Sequence, residues 1–556
     1  MTAESGSEFH FSPRPNRAAE ISWRPWSEAA FAEARDLQRP ILLSISAVWC
    51  HWCHVMDETT YSDQEVIDLV NEWYLPIRVD NDVRPDINQR YNMGGWPTTA
   101  FLTSDGDILT GATYLNPEQM RDGATRVVEY WHQNRADIEA KVEEGRRAAA
   151  AAGAAGAGPL DGGIVGEILG SVEGAYDPVN GGFGTAPKFP QTDALSLLAE
   201  QSIAGGRPEL MEMAGHTLER MAGGGTYDHV EGGFFRYSTT EDWSVPHFEK
   251  MLEDHAGLIA ALARTGQGEI LDDAGRYLDT VLRDPGTGLY GGSQDADEAY
   301  YALDAEGRRA GQAPYVDRRV YAAWNAALAV AYLEADLRLD RPALRERAAQ
   351  LLKSLFGSLY DDERGMDRTE GVGGQLQDQV WALRASVWAA ARGLGDVWRD
   401  RAVALAEQME RRYGNQAGGY VDSDAGDHLG RLSEELKPLA ENAEAAIGLL
   451  ELDALIGDPG LDLHKRAEGA LGAVASLPRS HGTLAAVFAQ ALDRLGRPPV
   501  KVETGDAALA RTALAANPYA VVVLTDRPDA VVCVGTTCFA PTREPSEVET
   551  LVRKDG

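Results

Sequence analysis

Cys50 and Cys53, separated by two residues, are the side chains whose types and spacing best suit chemistry in this sequence. An apolar run at residues 41–46 predicts one buried strand before them, and helical spacing of polar and apolar residues begins near Cys53. The pair therefore belongs to a strand-to-helix turn, where we expect the first cysteine to be partly exposed and the helix N-terminus to favour its thiolate. Such a thiolate could attack a disulfide, and the second cysteine could then resolve the mixed disulfide.

Three other interpretations of this pair stay open. A structural zinc site could use His51 and His54, but the sequence has no second Cys-x-x-Cys to complete it. The same run matches the Cys-x-x-Cys-His spacing of haem attachment, which usually accompanies export. The cysteines could also be an inert buried pair. Trp49, directly before the pair, favours the redox interpretation.

A second polar cluster occupies residues 227–254. Pro246 suits the first turn of a helix, which would place His247 and Glu249 in that turn. A helix N-terminus disfavours an imidazolium, so His247 is expected to be a neutral acceptor. Proton transfer could also involve nearby loop acids, and aromatic side chains could form platforms for a sugar; these neighbours are Asp228, Asp295, Asp297, Tyr237 and Trp243. Alternatively, the acids cap helices and the histidine is a packing residue.

The cysteines lie in a region, residues 20–146, that alternates between predicted helices and strands. Helices are expected over 26–38 and 63–73, a strand over 75–80, and a hairpin turn at Asp105-Gly106. This alternation predicts an α/β sheet domain. Pro97 precedes an apolar run and could form a cis peptide bond that presents backbone to a neighbouring site, or could be a trans proline at an edge strand.

The composition changes beyond this region. Residues 148–159 are nearly all Ala and Gly, which predicts a flexible linker. Residues 160–495 contain Ala- and Leu-rich amphipathic segments separated by loops rich in Gly, Asp and aromatic residues; loops 176–183 and 227–234 lie roughly fifty residues apart. That interval accommodates two helices, so we predict helical hairpins in a closed ring, with the loops at one mouth.

The last segment, residues 496–556, predicts two short strands, at 520–524 and 530–534. Cys533 lies in the second of these strands and Cys538 follows it closely, and we favour two reduced side chains over a disulfide.

The composition limits the classes of function. The 556 residues carry a formal net charge of −34, which argues against nucleic acid or an anionic membrane as a partner. Four cysteines in this length do not make a disulfide scaffold. The polar N-terminal residues lack the features of a signal peptide, and no apolar run approaches a membrane span. We expect a cytoplasmic protein without a metal or cofactor.

Several motifs occur in order along nearly the whole chain. In the N-terminal part they are Cys50-His51-Trp52-Cys53-His54-Val55-Met56, Arg84-Pro85-Asp86-Ile87 and Gly94-Gly95-Trp96-Pro97. Further on they are Gly181-Gly182-Phe183-Gly184, Pro187-Lys188-Phe189-Pro190, Tyr227-Asp228-His229, residues 245–252 and 293–297, Trp324-Asn325 and the pair Cys533 and Cys538. In this order they resemble a family of two-domain proteins that includes the spermatogenesis-associated thioredoxin-like proteins.

The resemblance implies a thioredoxin fold over residues 1–147, with Pro97 in cis opposite the cysteines. It further implies an (α/α)6 six-hairpin toroid over 160–495, similar to sugar epimerases and glycoside hydrolases, and a short C-terminal α/β segment over 496–556. The candidate substrate-binding side chains are Lys188, Asp228, His229, Tyr237, Trp243, Asp295, Asp297 and Trp324, and all but Tyr237 and Trp243 lie in the matching motifs. Two departures weigh against sugar chemistry: Phe235 stands where a histidine is common, and residues 439–443 replace a Ser-Gly-Asn-rich stretch.

Our leading hypothesis is a thiol–disulfide oxidoreductase or redox sensor. Cys50 would attack, Cys53 would resolve and Pro97 would shape the substrate groove, while the toroid would recognise a carbohydrate-like ligand. The alternative is a sugar epimerase or glycoside hydrolase that uses His247 and Glu249 at the toroid mouth, and a third hypothesis is a non-catalytic scaffold. The expected partners are a protein disulfide or redox partner and a carbohydrate.

Overall fold

The computed structural model describes residues 9–153, 156–424 and 428–554, without the side chains of residues 139 and 148–153. The chain divides into two units. Unit 1 comprises Met1–Ala154 and Ala425–Leu436, and unit 2 comprises Ala155–Asp424 and Lys437–Gly556. The short second part of unit 1 lies within the range predicted for the helical ring.

Unit 1 is built on one four-stranded sheet. Its strands are β1 (Ile41–Ser46), β2 (Leu75–Asp80), β3 (Thr98–Leu102) and β4 (Ile108–Ala112), in the order β2-β1-β3-β4. β1 and β2 are parallel, whereas β3 and β4 are antiparallel to their neighbours. The helices are α1 (Glu28–Asp36), α2 (His51–Glu58), α3 (Gln64–Trp73), α4 (Pro85–Tyr91), α5 (Pro117–Gln133) and α6 (Arg135–Gly153). This βαβ unit followed by an antiparallel hairpin and a helix is the predicted thioredoxin fold.

Side chains cover both faces of this sheet. Ile41 and Leu43 point into one apolar cluster, whereas Leu42 belongs to another on the opposite side, as the alternation of a strand requires. Leu432 from the second part of unit 1 completes the first cluster. The hydroxyl of Tyr91, in the same cluster, donates to the carbonyl of Gly106 and accepts from the amide of Arg431.

The predicted helices and turn of unit 1 are confirmed, with one correction at its end. Asp63 caps α3 through the amide of Val66, and the Asp105-Gly106 turn joins β3 to β4. However, α6 extends to Gly153, so the first part of the predicted linker is helical. Alanine has the highest helix propensity of all residues, and here it outweighs the breaking effect of the glycine that follows. Residues 154–155 of the predicted linker lie outside the described residues.

Most of unit 2 consists of helices in pairs. In chain order they are α7 (Gly163–Ala175), α8 (Thr192–Ala204), α9 (Pro208–Gly223), α10 (Leu252–Thr265), α11 (Gly268–Tyr277), α12 (Glu298–Tyr301), α13 (Ala305–Ala310), α14 (Ala322–Leu339), α15 (Pro342–Leu359), α16 (Leu376–Ala391), α17 (Val397–Tyr413), α18 (Leu439–Ile456), α19 (Leu463–Gly472), α20 (Pro478–His481) and α21 (Ala486–Leu495). Helices α8, α10, α14, α16, α18 and α21 each contact the next, and α21 contacts α8. They form a closed inner ring, and α7, α9, α11, α15, α17 and α19 pack outside it. The predicted (α/α)6 toroid is confirmed.

Five loops that lead into inner helices share one construction. The first residue of each, Asp177, Asp228, Asp284, Asp361 or Asn415, accepts hydrogen bonds through its side chain from amides of its own loop. A second side chain then holds the loop by accepting from one of its amides; these are Thr217, His255, Asn325, Gln379 and Asn442. The recurrence seen in the sequence is therefore a structural repeat in which the loop acids bind backbone.

Short strands accompany these loops. They are β5 (Tyr237–Ser238), β6 (Pro246–His247), β7 (Lys250–Met251), β8 (Ser293–Gln294), β9 (Val316–Asp317), β10 (Tyr360–Asp361) and β11 (Gly365–Met366). The predicted helix start at Pro246 is wrong, because α10 begins at Leu252. Residues before it are extended since Tyr237 pairs with His247, and Ser238 with Pro246.

The end of unit 2 is a second small sheet. It contains β12 (Val500–Thr504), α22 (Ala507–Ala516), β13 (Val521–Leu524), β14 (Val531–Val534), β15 (Thr537–Cys538) and α23 (Pro545–Val552). The strand order β13-β12-β14-β15, with β12 and β13 parallel and the others antiparallel, repeats the topology of the first sheet.

Cys533 and Cys538 form a disulfide, so the expectation of two reduced side chains is wrong. The reason is register: the two residues lie directly opposite each other on β14 and β15, where Cβ atoms of an antiparallel pair approach closely.

Among the described residues, no helix combines the length and apolar character needed to cross a bilayer.

Candidate functional site

The cysteine turn of unit 1 has the predicted geometry. Cys50 is the N-cap of α2, and its Sγ accepts a hydrogen bond from the amide of Cys53 at 3.1 Å. The two sulfur atoms form a disulfide. Partial exposure of the first cysteine was expected, but Cys50 is only 3% exposed and Cys53 2%. The turn before α2 is itself buried, from Ala47 to Trp49, which encloses the pair; the neighbouring Trp52 is 48% exposed.

Two tryptophans and a cis proline flank this turn. The indole of Trp49 donates to Asp82 at 2.7 Å and contacts the ring of Trp96 at 5.6 Å between centroids. The Trp96-Pro97 peptide bond is cis, as predicted. Thr98 fixes the loop by donating to the carbonyl of Gly95 at 2.8 Å. The contact between the indoles therefore holds the proline loop against the cysteine turn.

The inner side of α2 carries buried ionisable groups. Burial and the nearby charges of His10 and Arg78 lower the pKa of His54 to about 3, so this histidine is neutral at physiological pH. One turn further along, Asp57 forms two hydrogen bonds of 2.9 Å with Arg78. Burial raises the pKa of Asp57, and Arg78 opposes that rise. Within residues 9–153, 156–424 and 428–554, no three His, Cys, Asp or Glu side chains are grouped to hold a metal ion.

His247 and Glu249 lie together in the toroid, on extended backbone. Nδ1 of His247 is hydrogen-bonded to Oε2 of Glu249, which is 1% exposed. Tyr237 stacks on the imidazole at 4.8 Å, and Phe189 stacks on Tyr237 at 4.6 Å. An imidazole whose Nδ1 donates to a carboxylate presents Nε2 as an acceptor. The pair can therefore accept a proton from a ligand.

Four other predicted binding residues are engaged in the two loops at 177–182 and 228–232. Lys188 is fully buried and donates to Asp177 and to the carbonyl of Gly181, and Trp243, also fully buried, donates to the carbonyl of Asn180. Asp228 accepts from Lys250 at 2.7 Å and from Arg308 at 2.6 Å. His229 is hydrogen-bonded to the carbonyl of Gly224. These contacts hold the loops in place.

The remaining candidate binding residues are Asp295, Asp297 and Trp324. Asp295 accepts from the amide of Ala296, and Asp297 caps α12 by accepting from the amide of Tyr300. Phe235, where a histidine was noted as common, packs with Phe248 and Tyr301 in an aromatic cluster. Trp324 faces a cavity in the centre of the ring.

This cavity was missed by the sequence analysis. It has a volume of about 200 Å³ and is lined by all six inner helices. Three carboxyls face it, from Asp193, Glu253 and Glu444, and form no ion pair within the described part of the chain. Burial raises the pKa of each, and for Glu444 mutual repulsion with the other two adds to the rise. Asp193 and Glu253 keep solvent-accessible side chains although protein surrounds them, because they face the cavity.

Ion pairs lie on the other side of this cavity. Arg264 binds Glu334 at 2.9 Å and Glu200 at 3.3 Å, and Arg494 binds Glu451 at 2.9 Å. The sequence contained a signal for part of the lining, because polar residues recur at helical spacing inside otherwise apolar segments, as at 193, 196 and 200 and at 253 and 264.

The sheet order, the cysteine turn and the cis proline define unit 1 as a thioredoxin-like domain, and the closed ring defines most of unit 2 as an (α/α)6 toroid. Comparison with known proteins agrees with the predicted resemblance. Residues 13–149 match a family model, Thioredox_DsbH, which is described as a protein of unknown function, DUF255. Spermatogenesis-associated protein 20 from Homo sapiens is 36% identical over 275 residues, which are 44% of this chain and 34% of that relative. The aligned part thus spans about a third of the relative's length.

Two further similarities each cover part of the chain. The thiol:disulfide interchange protein DsbD of Campylobacter jejuni (strain RM1221) is 26% identical over 92 residues, which are 16% of each protein. The structure of cellobiose 2-epimerase from Spirochaeta thermophila matches with a TM-score of 0.45 and 18% identity, covering 61% of this chain and 96% of that one.

Proposed function

We propose that this protein is a thiol–disulfide oxidoreductase or redox sensor that acts through Cys50 and Cys53. The observation that carries the proposal is the hydrogen bond from the Cys53 amide to Sγ of Cys50 at the N-terminus of α2. In the reduced protein the same amide and the helix dipole would stabilise a thiolate on Cys50. His54, one turn away, is neutral and adds no positive charge.

The exchange follows from this arrangement. The Cys50 thiolate attacks one sulfur of a partner disulfide, forming a mixed disulfide and releasing the partner's other sulfur as a thiolate. The Cys53 thiolate then attacks Sγ of Cys50, which forms the Cys50–Cys53 disulfide and releases the second partner thiolate. Two electrons pass from the protein to the partner. Pro97 would offer backbone to the partner chain beside the turn, and Trp52, which is 48% exposed, is available to contact that chain.

The partner we propose is a protein disulfide, and the location we propose is the cytoplasm, where thiols are kept reduced. The DsbD similarity supports the chemistry, and it concerns only 16% of this chain. Because Cys50 is 3% exposed, we expect a partner to displace covering residues before exchange, so the reduced protein should react faster with a small disulfide than with a folded disulfide protein.

A redox titration tests the proposal. The full chain is equilibrated in dithiol/disulfide buffers of graded potential, its thiols are trapped, and each cysteine pair is mapped by mass spectrometry. A reversible Cys50–Cys53 couple between roughly −270 and −120 mV, the range of thioredoxin-like proteins, would support it. The Cys50→Ser variant should lose dithiol exchange, whereas His247→Ala should retain it. A pair that never titrates, or that binds zinc, would exclude it.

A second candidate function is acid–base chemistry on a carbohydrate in the toroid. Two observations favour it: the pair of His247 and Glu249 beneath stacked aromatic rings, and the central cavity with carboxyls that form no ion pair with any described residue. Asp254 follows Glu253 in the chain; burial raises its pKa to about 7, and repulsion from Glu253 and Glu249 adds to that rise. A carboxyl with that pKa can act as a general acid or base near neutral pH.

Sugar binding and turnover distinguish this second function from the first. Calorimetry with mono- and disaccharides should show saturable binding that His247→Ala or Glu253→Gln abolishes and Cys50→Ser leaves intact. If no sugar binds and the Cys50–Cys53 pair also fails to titrate, the protein is a non-catalytic scaffold.

A further inference from the structure

The Cys533–Cys538 disulfide lies in the second sheet, and its two residues differ in exposure. Cys533 is 7% exposed on β14, whereas Cys538 is exposed on β15, the edge strand. The two turn residues between the strands are exposed as well. A thiolate from solution can therefore approach Cys538, and Cys533 is placed as the inner leaving group.

The hairpin does not depend on this cross-link for its closure. The amide of Phe539 donates to the carbonyl of Val532 at 2.9 Å. At the base of the hairpin, Ala530 and Thr542 exchange two backbone hydrogen bonds, of 2.8 and 2.9 Å. The disulfide spans a sequence separation of 5, and such short loops give the smallest entropic stabilisation. A purely structural role therefore explains little of its presence.

Phe539, the residue that follows Cys538, packs against the apolar core of this sheet, and the ammonium group of Lys554 lies 4.4 Å from its ring. Because successive side chains of a strand point to opposite faces, Cys538 lies on the face away from this core. The disulfide is therefore held on the outer face of the sheet.

We propose that Cys533 and Cys538 form a second thiol–disulfide exchange site, separate from Cys50 and Cys53, whose reductant is a soluble dithiol. A thiolate of the dithiol attacks Sγ of Cys538, forming a mixed disulfide and breaking the bond to Cys533, which leaves as a thiolate and takes a proton from water. The reductant's second thiol, as its thiolate, then attacks the reductant sulfur that is bonded to Cys538. This forms the internal disulfide of the oxidised dithiol and releases Cys538 as a thiolate. Two electrons pass from the dithiol to the protein.

The test uses the full chain with Cys50→Ser and Cys53→Ser, so that the second pair is the remaining disulfide. The protein is incubated with increasing ratios of reduced to oxidised glutathione and then with dithiothreitol as the dithiol, and free thiols are mapped by mass spectrometry. We expect reversible reduction while far-ultraviolet circular dichroism stays native. A pair that remains oxidised until the protein unfolds would overturn the proposal. Because the first pair is absent, this result is independent of the titration of Cys50 and Cys53.

Two single variants test the direction of attack. Cys533→Ser leaves the exposed thiol of Cys538, and Cys538→Ser leaves the buried thiol of Cys533. Oxidised glutathione should modify the first variant about tenfold faster than the second, since reactivity follows exposure. Equal rates would contradict the proposed order of attack.

A measurement of stability separates exchange from bracing. The double variant Cys533→Ser/Cys538→Ser should unfold within about 5 °C of its parent, because closing so short a loop gives only a small entropic stabilisation. A loss of many degrees would identify the disulfide as a structural brace.

Discussion

Removing the charge of Arg78 should destabilise unit 1 far more than removing any exposed charge. Arg78 is 4% and Asp57 0% exposed, and two hydrogen bonds of 2.9 Å join them between β2 and α2. Arg78→Met keeps most of the side-chain stem that packs near Phe11, whose ring lies 4.7 Å from the guanidinium carbon. The substitution therefore removes mainly the charge and its hydrogen bonds, and leaves Asp57 buried without its cation.

The size of the effect follows from the burial of both groups. Breaking a buried ion pair by removing one partner costs about 3–5 kcal/mol. Since 1.36 kcal/mol is a factor of ten, the opening equilibrium of unit 1 should rise roughly 160- to 5,000-fold. Replacing both groups, as Arg78→Met/Asp57→Leu, should recover most of that loss, because an apolar pair leaves no buried charge.

Hydrogen exchange of the full chain, followed by mass spectrometry, measures this locally. Peptides from β1 and β2 report the opening of unit 1, and peptides from the helical ring serve as an internal standard. The matched control is Arg17→Met, because Arg17 also binds a carboxylate, Glu20, but the two side chains are 43% and 50% exposed. Its effect on the exchange of these peptides should be small, because solvent screens an exposed ion pair.

The pH dependence adds a second check. Burial already raises the pKa of Asp57, and loss of Arg78 should raise it further. When the pKa of a carboxyl is higher in the folded than in the unfolded protein, the free energy of unfolding falls as pH rises through the folded value. The loss of stability caused by Arg78→Met should therefore be smaller at pH 5 than at pH 7. If Arg78→Met opens unit 1 no more than Arg17→Met does, or if its deficit grows at low pH, the reasoning is refuted.

Three further predictions concern unit 2. Burial raises the pKa of Asp254 to about 7, so its ionisation opposes folding as pH rises from about 4 to 7. Asp254→Asn should therefore reduce the fall in Tm between pH 5 and pH 8. A fall in Tm as steep as that of the unsubstituted protein would contradict this. Gly170 is exposed in α7, and a Cβ added there would meet no neighbouring atom, so Gly170→Ala should raise the free energy of unfolding in urea by about 0.5–1 kcal/mol. A Cβ added at Gly374 would collide with a backbone carbonyl, so Gly374→Ala should lower it strongly. Lys250 and Asp228 are buried together, so Lys250→Met should lower Tm, and a neutral result would show that Arg308 alone holds the loop.

The sheet of unit 1 could be predicted because its signals are local. The apolar run at 41–46 is buried on both faces of the sheet, and Asp63 carries its helix cap in the adjacent residues. The start of α10 could not be predicted in the same way. Pro246 is compatible with a first helical turn. However, Pro246 and His247 pair with Ser238 and Tyr237, which lie outside the stretch that suggested a helix, and this pairing makes the backbone extended.

The candidate sites show the same division. The position of Cys50 at the start of α2 follows from the strand-to-helix pattern, whereas its burial depends on packing that no local pattern encodes. Asp193, Glu253 and Glu444 lie on three different inner helices, and only closure of the ring brings them to one cavity. Likewise, the disulfide of Cys533 depends on the register of β14 and β15, which a count of residues does not give.

The divided sequence of unit 1 has a consequence for the time at which it is completed. Its core includes Leu432, and the amide of Arg431 donates to Tyr91, yet these residues are translated about 270 residues after the rest of the unit. At 5–20 residues per second, the ribosome needs roughly 15 to 55 seconds to reach them. The nascent N-terminal sheet must wait for that interval with part of its apolar face uncovered. The cysteine turn is thus among the first parts of the chain to be made, yet its domain is completed only after most of the helical ring has been translated.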